Sequence, residues 1–425
     1  MEHGRGEGTL SLNILYVGTL PPHPGGTAVS GSQLLVGFAR LGHTVRAVAP
    51  ITAEALQSGD PFATSQPGIG VTRILLPYYE IATCIPPADE YRRLEGEQIR
   101  ETLTALIATD RPDAIVIGRE TFAWYVPDLA TAHRIPSILM SRAGNLIRRI
   151  LDGTYPEDLA RRLLEQFRKV DLIVVQAKHM AIALQQLGCT SIKVIPNSID
   201  LQQFSPRPRD GALARELAIR HDDIIVAHLS NLTPAKRPLD IVTSAERALR
   251  QNPKLRYVIV GDGPYRGPME EACRERGISK KFRFVGWLDY SRVSDHINLA
   301  DMVVMPSEAE SQARVYLETQ ACARVLLASD IPGAREVIRD GETGLLFKKG
   351  DVGDLTAKTL LTAGDPELRV RIGRKAREQV KAYSLDRAVA SYVAAFDHVV
   401  RQHQEGLDAQ EPLPLKESKS AGIGT

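Results

Sequence analysis

Thirteen short, nearly continuous apolar runs alternate with longer helical patterns along this chain, and that alternation narrows the possible folds more than any single motif. Seven lie in the first half: NILYVG (13–18), TVRAVAP (44–50), VTRILLP (71–77), DAIVIG (113–118), PSILMS (136–141), DLIVVQ (171–176) and IKVIPN (192–197). A strand that is apolar at successive positions must be covered on both faces, and helices between such strands supply the cover. The pattern predicts a doubly wound parallel α/β sheet. SIDLQQFSPRPRDG then interrupts it with two prolines and no long apolar face. Six further runs follow: DIIVAHLS (223–230), LRYVIVG (255–261), KFRFVG (281–286), DMVVMP (301–306), RVLLAS (324–329) and TGLLF (343–347).

The chain therefore reads as two Rossmann-like domains, 1–200 and 210–384, joined by a linker at 201–209 and separated by a cleft. Its 425 residues exceed one ordinary core and fit two. Helices are expected around 366–382 and 385–402, the second free to pack back on the first domain. Residues 1–10 read as a loose terminus and 403–425, polar with Pro and Gly, as a disordered tail.

Apolar content of 43% and charged content of 24% are those of a globular protein. A net charge of +2 gives no argument for a nucleic-acid partner. Cys84, Cys189, Cys273 and Cys322 are far apart and form no metal-binding spacing, so reduced thiols in a cytoplasmic protein are expected. No apolar run approaches the roughly 20 residues that span a bilayer, and MEHGRGEGTL lacks the apolar region of a signal peptide. The stretch 142–169 is basic, with Arg142, Arg148, Arg149, Arg161, Arg162, Arg168 and Lys169. A solvated helix face is favoured there; peripheral contact with an anionic membrane, or with a phosphorylated acceptor, is the alternative.

In parallel sheets ligands bind beyond the carboxyl ends of the strands, so the informative residues lie just after each run. Gly25 and Gly26 follow the first run and precede a helix. They suit either an anion-binding turn or a plain strand-to-helix connection. Lys236 and Arg237 follow run 223–230 at a helix start, as a phosphate-binding corner or as two solvated charges. Gly261 and Gly263 flank Asp262 after run 255–261, either to admit a flat or charged ligand or simply to turn. Glu310 and Glu318 follow run 301–306, the second two helical turns deeper. A buried carboxylate needs hydrogen-bond donors, and sugar or ribose hydroxyls are suitable ones.

Together these residues resemble the GT-B glycosyltransferases, in particular the retaining group called glycosyltransferase family 4. The resemblance runs from about residue 12 to 400 and is strongest in DMVVMPSEAE…YLETQACA…VLLASDIPGAREVIRDGETGLLF. VIPNSIDLQQFSP, GDGP and GHTV match as well. The resemblance implies transfer from a UDP- or GDP-linked sugar, with no metal and no further cofactor, to a small-molecule, glycan or lipid-linked acceptor. It implies that Lys236 neutralises the diphosphate, that Glu318 binds the ribose hydroxyls and that Glu310 lies by the transferred sugar. It further implies that Gly25 and Gly26 close over the phosphates. Lys236 and Glu310 are the expected catalytic residues.

Three positions depart from the family pattern. Ser311, Gln312 and Ala313 stand where Gly-Phe-Gly is usual, and would narrow the donor pocket. Asn231 stands for the usual Arg of the phosphate pair; SNLTPAKRPLD resembles the SNxRPxKRxxD of the glucosaminyl-malate synthases, which share that Asn but whose Arg falls at Thr233 here, with Arg237 as the expected compensation. Ala143-Gly144 replaces the usual His-Gly, leaving Arg142 to take over some polar contacts. These departures motivate an alternative in which the scaffold binds sugar nucleotide but transfers little. Sugar-nucleotide epimerisation is a third reading, opposed by the PSxxE pattern. The acceptor is expected to be chosen by 77–92 and 142–156 of the first domain.

Overall fold

The computed structural model of the chain describes residues 11–408, apart from 24, 58, 61, 64–65, 67, 77–88 and 143. All thirteen apolar runs form strands. The first sheet holds β1 (Asn13–Val17), β2 (Thr44–Thr52), β3 (Ile69–Leu76), β4 (Ala114–Ile117), β5 (Ser137–Ser141), β6 (Leu172–Val175) and β7 (Ile192–Val194), in the order β3-β2-β1-β4-β5-β6-β7. The second holds β8 (Ile224–Leu229), β9 (Leu255–Val260), β10 (Phe282–Gly286), β11 (Met302–Met305), β12 (Val325–Ser329) and β13 (Leu345–Phe347), in the order β10-β9-β8-β11-β12-β13. Every pairing is parallel. The helices that shape the cleft are α1 (Gly26–Arg40), α2 (Lys178–Gln186), α3 (Pro238–Gln251), α4 (Tyr290–Leu299), α5 (Arg314–Ala321) and α6 (Leu385–Asp408).

Strand side chains alternate between faces, and each sheet uses both. Ile14 and Tyr16 enter one core cluster while Leu15 and Val17 enter the other. In the second sheet Val303 and Met305 pack on one face, Met302 and Val304 on the opposite one. This is why the runs are apolar at nearly every position.

The backbone crosses between the domains twice, and the crossings lie side by side. Ile199 donates to the Tyr383 carbonyl at 2.9 Å, and Leu385 donates back to the Ile199 carbonyl at 3.0 Å. After the second crossing, α6 lies on the first domain. Its Val389, Tyr392, Val393, Phe396 and Val400 recur at three- and four-residue spacing and are buried with Leu35 and Phe38 of α1. The rings of Phe38 and Phe396 sit 5.5 Å apart. This helix continues through Asp408, so the first six positions of the tail expected from 403 are helical, carried on by the amphipathic pattern. Residues 1–10 and 409–425 lie outside the described residues.

Phe396 has no exposed surface, so Phe396→Ala leaves a cavity between α1 and α6. It is expected to cost about 3–5 kcal/mol, read as a lowered urea midpoint for the first domain.

Candidate active site

Strand order reverses between β1 and β4 in one sheet and between β8 and β11 in the other. Loops leaving neighbouring strands diverge at such points and open a crevice. The two crevices face each other. The expected catalytic pair comes from the second: Lys236 ends a 3-10 turn (Pro234–Lys236) after β8, and Glu310 lies in the loop after β11. Lys236 Nζ donates to Glu310 Oε1 at 2.5 Å, with 24% and 11% of the two side chains exposed.

Two packing features set that geometry. A Cβ on Gly333 would come within 2.2 Å of the Glu310 carbonyl oxygen, so only glycine lets the loop after β12 pass beneath Glu310. Below the pair, His228 is buried with Nδ1 2.8 Å from the Val304 carbonyl and Nε2 2.7 Å from the Ser230 hydroxyl. A carbonyl only accepts, so Nδ1 carries the proton. Burial pushes the His228 pKa down to about 4 against the Val304 bond, and the Lys236 charge adds to the effect. The imidazole is neutral near pH 7 and adds no second cation beneath Lys236.

Arg237 is placed differently from its expected compensating role. Held at φ 48, it donates to Asp240 at 2.7 Å and to Glu308 at 3.3 Å. Lys349 binds the same Glu308 at 3.1 Å. Two carboxylates thus already use its charge. Asn231 is exposed. Gly261 and Gly263 serve close packing of two loops. At φ +112, a Cβ on Gly261 would lie 1.9 Å from the Ser230 carbonyl, and one on Gly263 2.8 Å from that of Leu232.

The Ser-Gln-Ala segment joins the lobes. Gln312 is 3% exposed; its side-chain oxygen accepts from Asn197 N at 2.6 Å, and its carbonyl accepts from Asn197 Nδ2 at 2.7 Å. Ser311 Oγ donates to the Arg142 carbonyl at 3.4 Å, and its Cβ is 3.1 Å from where a Gly144 Cβ would stand. Ala313 caps α5. Residues larger than glycine therefore close the space with interdomain contacts. The Arg142 guanidinium, expected near the sugar, turns instead to the Thr27 carbonyl and the Ser30 hydroxyl of α1. Position 143 lies outside the described residues.

Glu318 is 5% exposed on α5. Its Oε1 accepts from the Tyr290 hydroxyl at 2.8 Å and lies 3.6 Å from Arg314 Nε. Burial raises its pKa, against the pull of Arg314 and Tyr290. Arg314 extends over Tyr290, its Nη2 2.5 Å from the phenol oxygen and 3.1 Å from Gln33 Oε1 across the cleft on α1. Gly25 and Gly26 are exposed, and a Cβ on Gly26 would stand 3.0 Å from Arg314 Cδ.

A second interdomain contact lies at the start of α2. Glu336 Oε2 accepts from Lys178 N at 2.8 Å, and Oε1 accepts from His179 N at 3.0 Å and His179 Nδ1 at 2.8 Å. A carboxylate of one domain thus caps a helix of the other. The basic stretch is largely committed to the fold: Arg149 donates to the Thr154 carbonyl at 3.1 Å, Arg168 to that of Leu187 at 2.8 Å, and Lys169 pairs with Asp128 at 2.6 Å. Arg162 lies over the Trp124 ring. The loop residues 77–88 are outside the described residues, and 89–92 begin a helix. Among the described residues no group of three or more His, Cys, Asp or Glu could hold a metal, and no helix is long and apolar enough to cross a membrane.

Two family matches tile this architecture: Glycosyltransferase Family 4 over residues 24–203 and Glycosyl transferases group 1 over residues 211–379. The chain belongs to the GT-B glycosyltransferases. The D-inositol 3-phosphate glycosyltransferase of Kribbella flavida is 28% identical over 64% of this chain and 66% of that protein. The matched region thus spans just under two thirds of that relative's length. The N-acetyl-alpha-D-glucosaminyl L-malate synthase of Bacillus anthracis is 24% identical over 91% of this chain and 98% of its own. Among solved structures, the sucrose-phosphate synthase (tll1590) of Thermosynechococcus elongatus gives a TM-score of 0.74 at 19% identity, covering 94% of this chain and 100% of that one. Anabaena Alr3699/HepE in complex with UDP and glucose gives 0.70 at 17% identity, with the same coverage.

Arg314, Tyr290, Gln33, Asn197, His179 and Glu336 hold this GT-B cleft together and were not singled out from the sequence. Arg314 left a signal: it stands four residues before Glu318 on one helix, a spacing that brings a cation and an acid together. The cross-domain partners left none.

Burial alone would raise the Glu336 pKa, but the N–H groups of Lys178 and His179 overcome it and hold the carboxyl below its usual 4.5. With the folded value depressed, the contact contributes fully above the unfolded value and is lost as pH falls through the folded one. Glu336→Ala is expected to speed hydrogen exchange at the first turn of α2 at pH 7. Wild type should approach the variant's exchange, corrected for intrinsic rate, only in acid.

Proposed function

We propose that this chain is a retaining glycosyltransferase that moves a sugar from a UDP- or GDP-linked donor to a hydroxylated acceptor. The observation that carries this reading is the Lys236–Glu310 pair at the strand-order reversal of the second domain, facing the first. An incoming diphosphate takes Lys236 from Glu310, which frees the carboxylate to accept hydrogen bonds from sugar hydroxyls. The anomeric carbon–phosphate oxygen bond breaks as the acceptor oxygen attacks the same face. The acceptor's proton passes to the leaving diphosphate oxygen. Preorganised positive charge at that oxygen lowers the barrier, and the neutral His228 leaves the Lys236 charge undiluted by a neighbouring titration. Solved structures of like fold that hold UDP with glucose, or UDP with GlcNAc, support this reading of the donor.

The acceptor in this reading is a small hydroxylated anion. Relatives are named for D-inositol 3-phosphate and for L-malate, both negatively charged. In this chain His23, in the loop after β1, is held below its ordinary pKa by burial and then by the nearby charges of Arg73 and Arg119. Arg73 is itself paired with Asp60 at 2.6 Å, so the charge near His23 is balanced, and the anionic acceptor rests on the relatives' names alone.

A second reading, a sugar-nucleotide-binding scaffold with little transfer, is favoured by the Gln312–Asn197 contacts, which fill with protein the space that glycines would leave open. Nucleotide release from UDP- and GDP-sugars, with neutral polyols or with inositol 3-phosphate and malate as acceptors, separates the two. We expect turnover with the anionic acceptors. Lys236→Ala should lower it about 100-fold while the circular dichroism spectrum of the folded chain is kept. Equal turnover by wild type and variant would remove Lys236 from the mechanism. Tight nucleotide binding without turnover would favour the scaffold.

A further inference from the structure

The donor diphosphate of the proposed reaction needs more positive charge than the residues after β8 offer. Asn231 is neutral, and Arg237 is held by Asp240 and Glu308. Another guanidinium lies against the glycine loop of the opposite domain. We propose that Arg314 is the second diphosphate-binding cation of this enzyme, and that donor binding exchanges its contact with Glu318 for one with phosphate. The proposal rests on the reading that the chain binds a nucleotide diphosphate in this cleft.

Four observations lead there. Arg314 opens α5, so its side chain leaves the backbone at a helix N-terminus that faces the cleft. Its Cδ approaches within 3.0 Å of where a Gly26 Cβ would stand, which puts it beside the glycine turn that the family resemblance implies closes over the phosphates. Its Nε is buried with no hydrogen-bond acceptor, since the Glu318 oxygen is 3.6 Å away. One tenth of the side chain is exposed, so a strong donor is kept nearly dry and incompletely satisfied. Finally, the groups it now touches are those a nucleotide would use: Glu318 and Tyr290, with Gln33 reaching over from α1.

The exchange conserves interactions. Ribose hydroxyls donate to Glu318 in place of the arginine, and phosphate oxygens accept from Arg314 in place of the glutamate. Neither charge is left buried and alone, which is the costly outcome that otherwise bars such a rearrangement. An arginine also matches phosphate with paired N–H donors, a geometry that a point charge such as Lys236 lacks. Because Arg314 also contacts Gln33, taking up the diphosphate ties the donor to the first domain.

Calorimetry on the full chain tests this with UDP and GDP set against uridine and guanosine. Arg314→Leu is expected to weaken the diphosphate that wild type binds by about tenfold to hundredfold without weakening its nucleoside. It should also flatten the salt dependence of binding, and Arg314→Lys should recover part of the loss. Unchanged diphosphate affinity in Arg314→Leu, or equal losses for diphosphate and nucleoside, would overturn the proposal, the latter by showing a structural role only. If circular dichroism shows Arg314→Leu unfolded, Arg314→Gln decides: it keeps a donor toward Tyr290 without the charge, and the same selective loss is expected. Wild type that binds neither diphosphate would instead defeat the proposed function itself.

Discussion

The geometry of the cleft depends on a short piece of backbone pairing, the reciprocal bonds of Ile199 with Tyr383 and Leu385. Two strands of chain passing between domains in register cannot slide independently, so the lobes have few ways to move except by turning about that point. Everything that meets across the cleft is measured from it. Asn197, two residues before the crossing, takes Gln312; the Ser198 carbonyl lies 3.5 Å from Arg314 Nη1. The hinge and the departures from the family pattern are thus in contact.

That proximity gives the unusual Ser-Gln-Ala segment a physical meaning. Glycines at these positions would leave backbone N–H groups open to a ligand. The larger residues instead spend polar groups on the opposite domain, and Arg314 continues the same trend one residue later. Among the described residues, closure is held by these hydrogen bonds and by the Glu336 cap at α2. Polar contacts of this kind exchange readily with water. Breaking them releases polar groups that water can satisfy.

The fold was legible because burial on both faces writes itself into the strands as unbroken apolar runs separated by helices. Lys236, Glu310 and Glu318 could be singled out as candidates because each follows a run at a carboxyl end, and the structure brings the first two together. Their partners could not be. Nothing in the sequence around Asn197 points to Gln312, more than a hundred residues later, because a side chain–backbone bond across domains has no period and no spacing. Gly261 and Gly263 illustrate a further ambiguity. A glycine that admits a ligand and one that admits a neighbouring carbonyl look alike in a sequence; here a Cβ on Gly261 would lie 1.9 Å from the Ser230 oxygen, which by itself requires glycine. Arg237 is a third case, since a charge beside a phosphate corner says nothing about the two acids that hold it.

The placement of α6 makes the first domain discontinuous, and this bears on how the protein is made. Phe38 and its neighbours on α1 are covered by residues 389–400, which leave the ribosome after the entire second domain. At about 5–20 residues per second, the apolar side of α1 waits roughly 18–70 seconds for its cover. The second domain, contiguous in the chain, can finish first and stand as the template on which the amino-terminal half is completed.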